Sequence, residues 1–462
     1  MTETGEHAAD DSRRSLPEPG MLDPRAQRTV LVGMVALLSL GAFEALAVST
    51  AMPVLAADLD GLPLYTYGFA ATAVASVGGM LVAGRWADRA GPAAPLWTGT
   101  ALFVAGVLVV GLAPSMEVVI GGRLLQGAGF GVMDVTLYVL VARIFPTARR
   151  PAVFAVFSAA WVVPALVGPL VAGLVTEHLG WRWVFLAVPV LAVPAVLWLR
   201  PGLAAAHAGA GGPDGSERDA GGGTASASPE DVALRAGDLV RSVLRVGAGL
   251  GAVVASRALV AGAFMGAEVL LPLALVHEHG LSPALAGTVL TLGAIGWSVG
   301  SWVRGHGLHG LTPTGWLRLG GTLLAAGILG AALLAVPSVP VAVGVVPWAV
   351  SGLGMGICYP TLSMLTLELA PARSKGLAMS ALQVSEALAT AAALSGTGAL
   401  LWSLHDTWGL TAYAVCLALA GTLALTAAAL AGRTRPPAHK ALAPSTSPPE
   451  ADDENAAPAR SS

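Results

Sequence analysis

Charge is what this sequence has least of. Only 11% of its 462 residues are Asp, Glu, Lys or Arg, against 55% hydrophobic, and the mean hydropathy is +0.71. Soluble domains carry about 25% charge, so a water-exposed globular fold is excluded. Lysine occurs only at Lys375 and Lys440, neither in a Gly-rich phosphate loop, which excludes ATP-driven chemistry of the P-loop type. The net charge is −3 with no basic patch, and this excludes a nucleic-acid-binding surface. Cysteine is limited to Cys358 and Cys416, both inside apolar runs where they read as small hydrophobes and not as a disulfide framework.

What the chain has instead is long apolar runs. A helix needs about 20 mostly apolar residues to cross a bilayer. Runs bounded by charge or Gly/Pro clusters predict about twelve spans, near 29–54, 65–84, 95–113, 117–141, 152–175, 182–200, 254–276, 283–303, 315–336, 340–365, 376–400 and 409–431. The expected fold is an all-α integral membrane protein of about 12 helices, in two six-helix pseudo-repeats around a central cavity. "SRRSLP" at 12–17 faintly resembles a twin-arginine signal, but a polar stretch separates it from the first span, which reads as retained.

Loop charges orient these spans. With the N-terminus inside, cytoplasmic loops hold Arg85, Arg89, Arg143, Arg149, Arg150, Arg304, Arg318, Arg373 and Lys375, while outer loops hold Arg182 alone. The positive-inside rule then puts both termini in the cytoplasm of a cell with the protein in its cell membrane. The expected domains are a cytoplasmic tail at 1–28, a six-helix bundle at 29–200, a linker at 201–253, a second bundle at 254–431 and a disordered tail at 432–462. The linker is Gly/Ala/Ser-rich and cannot bury a core, but its end at 228–245 mixes Val and Leu with Arg and predicts a helix lying on the membrane surface.

The two bundles echo each other. "GRWADRAG" (84–91) and "GSWVRGHG" (300–307) share Gly, Trp and Gly at one spacing, and "GAGFGVMDVTL" (127–137) matches "GLGMGICYPTL" (352–362) in its glycines and Thr-Leu. Internal repeats of this kind place a substrate site near mid-membrane, between the repeats.

These motifs resemble the major facilitator superfamily, and within it the drug:proton antiporter branches. "GRWADRAG" is similar to the family's loop motif, with Gly84, Asp88, Arg89 and Gly91 in place and Pro92 and Ala93 where a basic pair is usual. "RLLQGAGFG" (123–131) is similar to the fourth-span motif through Arg123, Gln126, Gly127 and Gly129. "GPLVAG" (168–173) resembles the fifth-span exporter motif through Gly168, Pro169 and Gly173, with Ala172 replacing a glycine and Pro164 an upstream one. "FEALAVSTAMP" resembles the first-span motif, with Glu44 in the acid position, Pro53 at its close and Leu46 where a Thr is usual. The resemblance implies a twelve-helix transporter in which Asp88 docks on the N-terminus of span eleven, near Gly376. That docking makes physical sense, since exposed helix N–H groups attract a carboxylate.

Ionisable residues sit inside the predicted spans: Glu44, Arg123 and Asp134 in the first bundle, Arg257, Glu268 and Glu386 in the second. Each costs about 2.5–3.5 kcal/mol to insert, so together they point to an interior site. Eleven residues separate Arg123 from Asp134 and Arg257 from Glu268, which returns each pair to one helix face. An acid near an arginine can then gain and lose a proton as the cavity alternates. Glu44 is the leading candidate for proton carrier and cation contact, the alternative being a structural interhelical bond. Arg257, near a span end, is open to snorkelling. Phe43, Trp161, Phe264 and Trp297 are candidate cavity aromatics.

The expected function is secondary active transport, by proton-coupled efflux of small amphiphilic or drug-like compounds, with proton-coupled import of a nutrient as the alternative. Expected partners are the substrate, protons and the bilayer. No cofactor, metal or nucleic acid is expected, and a monomer suffices. "GWSVG" (296–300) matches the hydrolase motif GxSxG formally, but it lies inside span eight and none of the nine histidines falls within a predicted span to act as base.

Overall fold

The computed structural model describes residues 24–146, 149–208, 249–306, 310–336, 338–370 and 375–434. Among them, twelve helices are long and apolar enough to cross a membrane. The first six are α1 (Pro24–Asp58), α2 (Tyr65–Ala90), α3 (Ala93–Gly111), α4 (Met116–Ile144), α5 (Arg150–His178) and α6 (Arg182–Ala208). The second six are α7 (Leu250–Leu273), α8 (Pro283–His306), α9 (Pro313–Ala331), α10 (Val341–Leu369), α11 (Lys375–Trp408) and α12 (Leu410–Leu430).

Prolines that would break a soluble helix are carried inside α1, α5, α6, α7 and α10. In lipid the alternative to a helix is an unsatisfied backbone, so the helices persist around them. Pro272 in α7 has a visible consequence: without its N–H the Glu268 carbonyl loses its helical partner, and the chain continues as a π turn over Ala274–Glu278, closed by His279 N–H on the Ala274 carbonyl at 3.1 Å.

The helices run past the ends expected from hydropathy, because a helix continues through the polar interface until its backbone groups reach water. As a result His178, His277, His306 and His405, all beyond the expected span ends, fall on helices or on the π turn. Ser298 nevertheless sits mid-helix, its hydroxyl donating to the Ala294 carbonyl, with no strand–turn–helix elbow.

The pseudo-repeat is a matter of packing as well as spelling. On α4, Gly127 and Gly131 press against the α2 carbonyls of Thr72 and Ser76, while Gly129 presses against α3 at Gly99 and Phe103. On α10, Gly352 and Gly356 press against the α8 carbonyls of Gly293 and Trp297, and Gly354 against α9 at Gly320 and Leu324. Each central helix therefore uses alternate glycines to seat two neighbours at backbone contact, as small-residue packing in lipid requires.

The halves meet mainly along two seams, α2 with α11 and α5 with α8, with α1 touching α7 and α8 between them. At one end of the bundle these seams are shut. Gly398 lies against Thr66, Gly173 against Pro283 and Ala284, and Gly287 against the Pro169 carbonyl. Two hydrogen bonds cross between the halves there: the Tyr65 hydroxyl donates to the Val269 carbonyl at 2.8 Å, and His277 Nε2 lies 3.1 Å from the Pro53 carbonyl. The expected surface helix at 228–245, residues 209–248 of the expected linker and the terminal residues before 24 and after 434 lie outside the described residues.

Candidate functional site

α1 and α4 bring Glu44 and Arg123 together. Both side chains are 3% exposed, and Arg123 Nη1 donates to Glu44 Oε1 at 2.5 Å. The same nitrogen donates to Gln126 Oε1 at 3.0 Å, and Arg123 Nε donates to the Gly68 carbonyl of α2 at 3.2 Å. The Phe69 ring lies 5.9 Å from the guanidinium. The fourth-span motif thus supplies the arginine, the glutamine that shares it, and the glycines that bring α2 close enough for Gly68 to accept. Each member of a buried pair held this way compensates the other, because removing either one strands its partner in low dielectric.

The second bundle has its own pair, on different helices. Arg257 of α7 donates from Nε to Glu386 Oε2 of α11 at 2.8 Å, and its Nη2 lies 2.8 Å from the same oxygen in an ion pair. Its Nη1 donates to the Tyr359 carbonyl at 3.1 Å and to Ser363 at 3.4 Å, and its guanidinium lies 3.1 Å from the centre of the Tyr359 ring. The Tyr359 hydroxyl closes the circuit by donating to Glu386 Oε1 at 2.7 Å. Arg257 is 3% exposed and Glu386 20%, so the carboxylate is the accessible member. Arg257 does not snorkel.

Residues that share a helix face are not the ones that pair. Arg123 meets Glu44 and not Asp134, and Arg257 meets Glu386 and not Glu268. Eleven residues return to one face of a helix but rise about 16 Å along it, too far for side chains to meet. Asp134 and Glu268 are half-buried and make no ion pair or hydrogen bond among the described residues. Among the described residues, the acids expected inside the spans therefore come in two kinds, two held by arginines and two without such a partner.

Aromatic groups surround the second pair. Trp348 stacks on Phe264 with centroids 4.9 Å apart, Phe264 meets Trp297 edge-on at 5.5 Å, and Trp297 meets Tyr359 at 5.3 Å. Of the four expected cavity aromatics, Phe264 is buried, Phe43 and Trp297 are half-buried, and Trp161 is exposed on α5, edge-on to Phe130 at 6.2 Å.

The family model described as Major Facilitator Superfamily matches residues 30–394. This chain belongs to the major facilitator superfamily. It is a multi-pass membrane transporter and not an enzyme. Among superfamily members it resembles the "Multidrug transporter protein MdtP" of Bacillus subtilis (strain 168), 29% identical over 180 residues, which are 39% of this chain and 33% of that protein. It also resembles "Multidrug resistance protein 3" of the same organism, 27% identical over 172 residues, 37% of this chain and 34% of that one. The chain spans about a third of the length of these curated relatives. Among solved structures it is similar to a bacterial homolog of the human lysosomal transporter Spinster in an inward-facing, unoccupied conformation, with a TM-score of 0.66, 14% identity and coverage of 89% of this chain and 98% of that one. It is also similar to a D-xylose-proton symporter, with a TM-score of 0.62, 15% identity and coverage of 85% and 96%. At such identities the likeness is one of fold.

The superfamily motifs can now be placed. Gly84 of the loop motif has open space around it, and Arg89 is exposed. Gly91 ends α2 at φ 76°, a conformation that suits glycine. Arg143 of α4 donates to the Ala87 carbonyl beside this motif at 3.1 Å. The Asp88 side chain and the residues before Lys375 lie outside what the structure describes, so the expected Asp88 docking does too. In the fifth-span motif, Gly168 faces Phe43 of α1, while Pro169 and Gly173 form the seam with α8.

Sequence reasoning missed Tyr65, Tyr359, Ser363 and His277. The repeat offered one signal: aligning the two glycine motifs sets Tyr359 opposite Asp134, a polar position in each bundle. Nothing in the sequence marked Tyr65, which stands at the first turn of α2 and is completely buried.

Proposed function

We propose that this transporter exports small amphiphilic or drug-like compounds in exchange for protons, its halves rocking about the region between them. In this reading the shut end faces outward and both termini lie in the cytoplasm of a cell whose membrane holds the protein. The observation that carries it is the contrast among four membrane-embedded acids: Glu44 and Glu386 are held by Arg123 and Arg257, while Asp134 and Glu268 have no such partner among the described residues.

An acid without a cationic partner can take up a proton without breaking an ion pair, whereas a paired one exchanges its proton only when the arginine is drawn away. Asp134 and Glu268 are accordingly the proton sites, and Glu44 with Arg123 and Glu386 with Arg257 are the charge pairs that respond to substrate. A charge crossing the membrane potential yields about 2.3 kcal/mol per 100 mV. The names of the two Bacillus relatives support the class of compound, and the fifth-span seam supports export.

The test is the pH gradient in inside-out vesicles, followed while lipophilic and drug-like compounds are added. Collapse of the gradient on addition by the native chain, reduced in Asp134→Asn or Glu268→Gln, is the expected result. A gradient that no compound disturbs, with uptake of a nutrient into right-side-out cells instead, overturns export in favour of import.

A further inference from the structure

Tyr65 is buried at the start of α2, yet its hydroxyl reaches across to the other half and donates to the Val269 carbonyl of α7 at 2.8 Å. The next residue back, Glu268, makes no ion pair or hydrogen bond among the described residues and stands one position along α7 from the carbonyl that holds Tyr65. Pro272 also leaves the Glu268 carbonyl without its helical donor, so α7 is locally less constrained where it meets α2.

Resting on the export reading above, we propose that Tyr65 and Glu268 form a proton-operated latch on the shut end. With Glu268 protonated, its neutral carboxyl leaves the Tyr65 hydroxyl on the Val269 carbonyl and the halves stay joined. When that proton leaves to water, the carboxylate becomes the stronger acceptor and takes the Tyr65 hydroxyl, because hydrogen bonds to an ionised group are roughly twice as strong as neutral ones. The Val269 bond is then lost and the end is free to open. The sign fits antiport: the proton-loaded form is shut outward and delivers its proton to the other side.

The other ionisable groups on elements packed against α7 are either held by partners or stand at exposed helix ends: Arg25 and Arg28 at the start of α1, Arg318 of α9, Glu368 at the end of α10 and Arg433 after α12 are all exposed. Glu44 of α1 is held by Arg123, and Glu386 of α11 by Arg257 and Tyr359 of α10. Asp58 of α1 is held by Trp181 and Arg182. Glu278 on the π turn, His405 of α11 and Tyr413 of α12 form a separate cluster, with His405 Nε2 3.7 Å from Glu278 Oε1 and the Tyr413 ring edge-on to His405 at 6.0 Å. Arg304 and His306 stand at the far end of α8, and Asp406 is exposed in the last turn of α11. His277 makes the second cross-half contact, to the Pro53 carbonyl, and is the natural rival to Glu268 as the group that titrates.

The full chain in nanodiscs, with Cys358→Ala and Cys416→Ala, would carry spin labels at Ala57→Cys on α1 and Asp406→Cys on α11, both exposed at the shut end. Distances between the labels are read by electron double resonance from acid to alkaline pH. The expected result is a short distance at low pH and a longer population growing as pH rises, abolished in Glu268→Gln and present at every pH in Tyr65→Phe. Glu268→Asp should restore a pH response and so show that any loss in Glu268→Gln is not misfolding. If Glu268→Gln keeps the native response, if Tyr65→Phe tracks the native chain, or if His277→Gln abolishes the response, the latch is wrong. No substrate is used, so a failure of the vesicle assay with this switch intact overturns export alone.

Discussion

Pro169 and Gly287 meet across the two halves with no room between them: a side-chain carbon on Gly287 would collide with the Pro169 carbonyl. Gly173 stands one turn further along the same seam, against Pro283 and Ala284. Leucine at either glycine should therefore wedge α5 from α8 and open the shut end, at about 1–3 kcal/mol of overpacking. Thr66 is buried there, so a Thr66→Cys probe in a chain without Cys358 and Cys416 should react with maleimide about tenfold faster or more in Gly287→Leu. Equal protection in both chains would show that the seam does not govern access.

Arg123→Ala should destabilise the first bundle by about 3–5 kcal/mol, because it leaves Glu44 buried without its partner. Glu44→Gln with Arg123→Gln in one chain should cost less than Arg123→Ala alone. Unfolding in denaturant-titrated micelles measures both, and a double variant weaker than the single one would contradict the reading of a mutually compensating pair.

Tyr359→Phe should cost about 1.5–3 kcal/mol, the worth of a hydrogen bond to a charged group. Arg257→Lys should cost at least as much, since a lysine cannot reproduce the fork that reaches Glu386, Ser363 and the Tyr359 carbonyl together. The same unfolding assay reports both, and a neutral Tyr359→Phe would remove the hydroxyl from the circuit.

Gly127→Ala and Gly352→Ala occupy equivalent places in the two bundles, each facing a neighbouring helix carbonyl, and should lower the melting temperature similarly. Gly78→Ala, with open space around it, should change stability by no more than about 0.5 kcal/mol. Unequal losses at the two equivalent glycines would mean that the repeats are packed less alike than their backbones.

Much of this was legible before any coordinates. Twelve spans follow from apolar length alone, since a bilayer demands one helix per run, and the repeated glycines announced the close seats of α4 and α10. Arg123, Gln126 and Glu44 were recognisable because charge inside an apolar run is costly and a motif named their places. The helix ends were not legible, because polar interfacial residues continue a helix as readily as they stop one, and this is how His277 and His405 escaped notice.

What the sequence by itself determined was therefore the number of helices, the pseudo-repeat and the list of buried charges, all consequences of transfer cost and spacing along one chain. Which acid holds which arginine was decided only by the tertiary structure. Glu44 and Arg123 are 79 residues apart and Arg257 and Glu386 are 129 apart, so no periodicity within a helix can pair them. The bond from Tyr65 to Val269 spans 204 residues and both halves, and it exists only because the glycine seams fix how closely those halves approach.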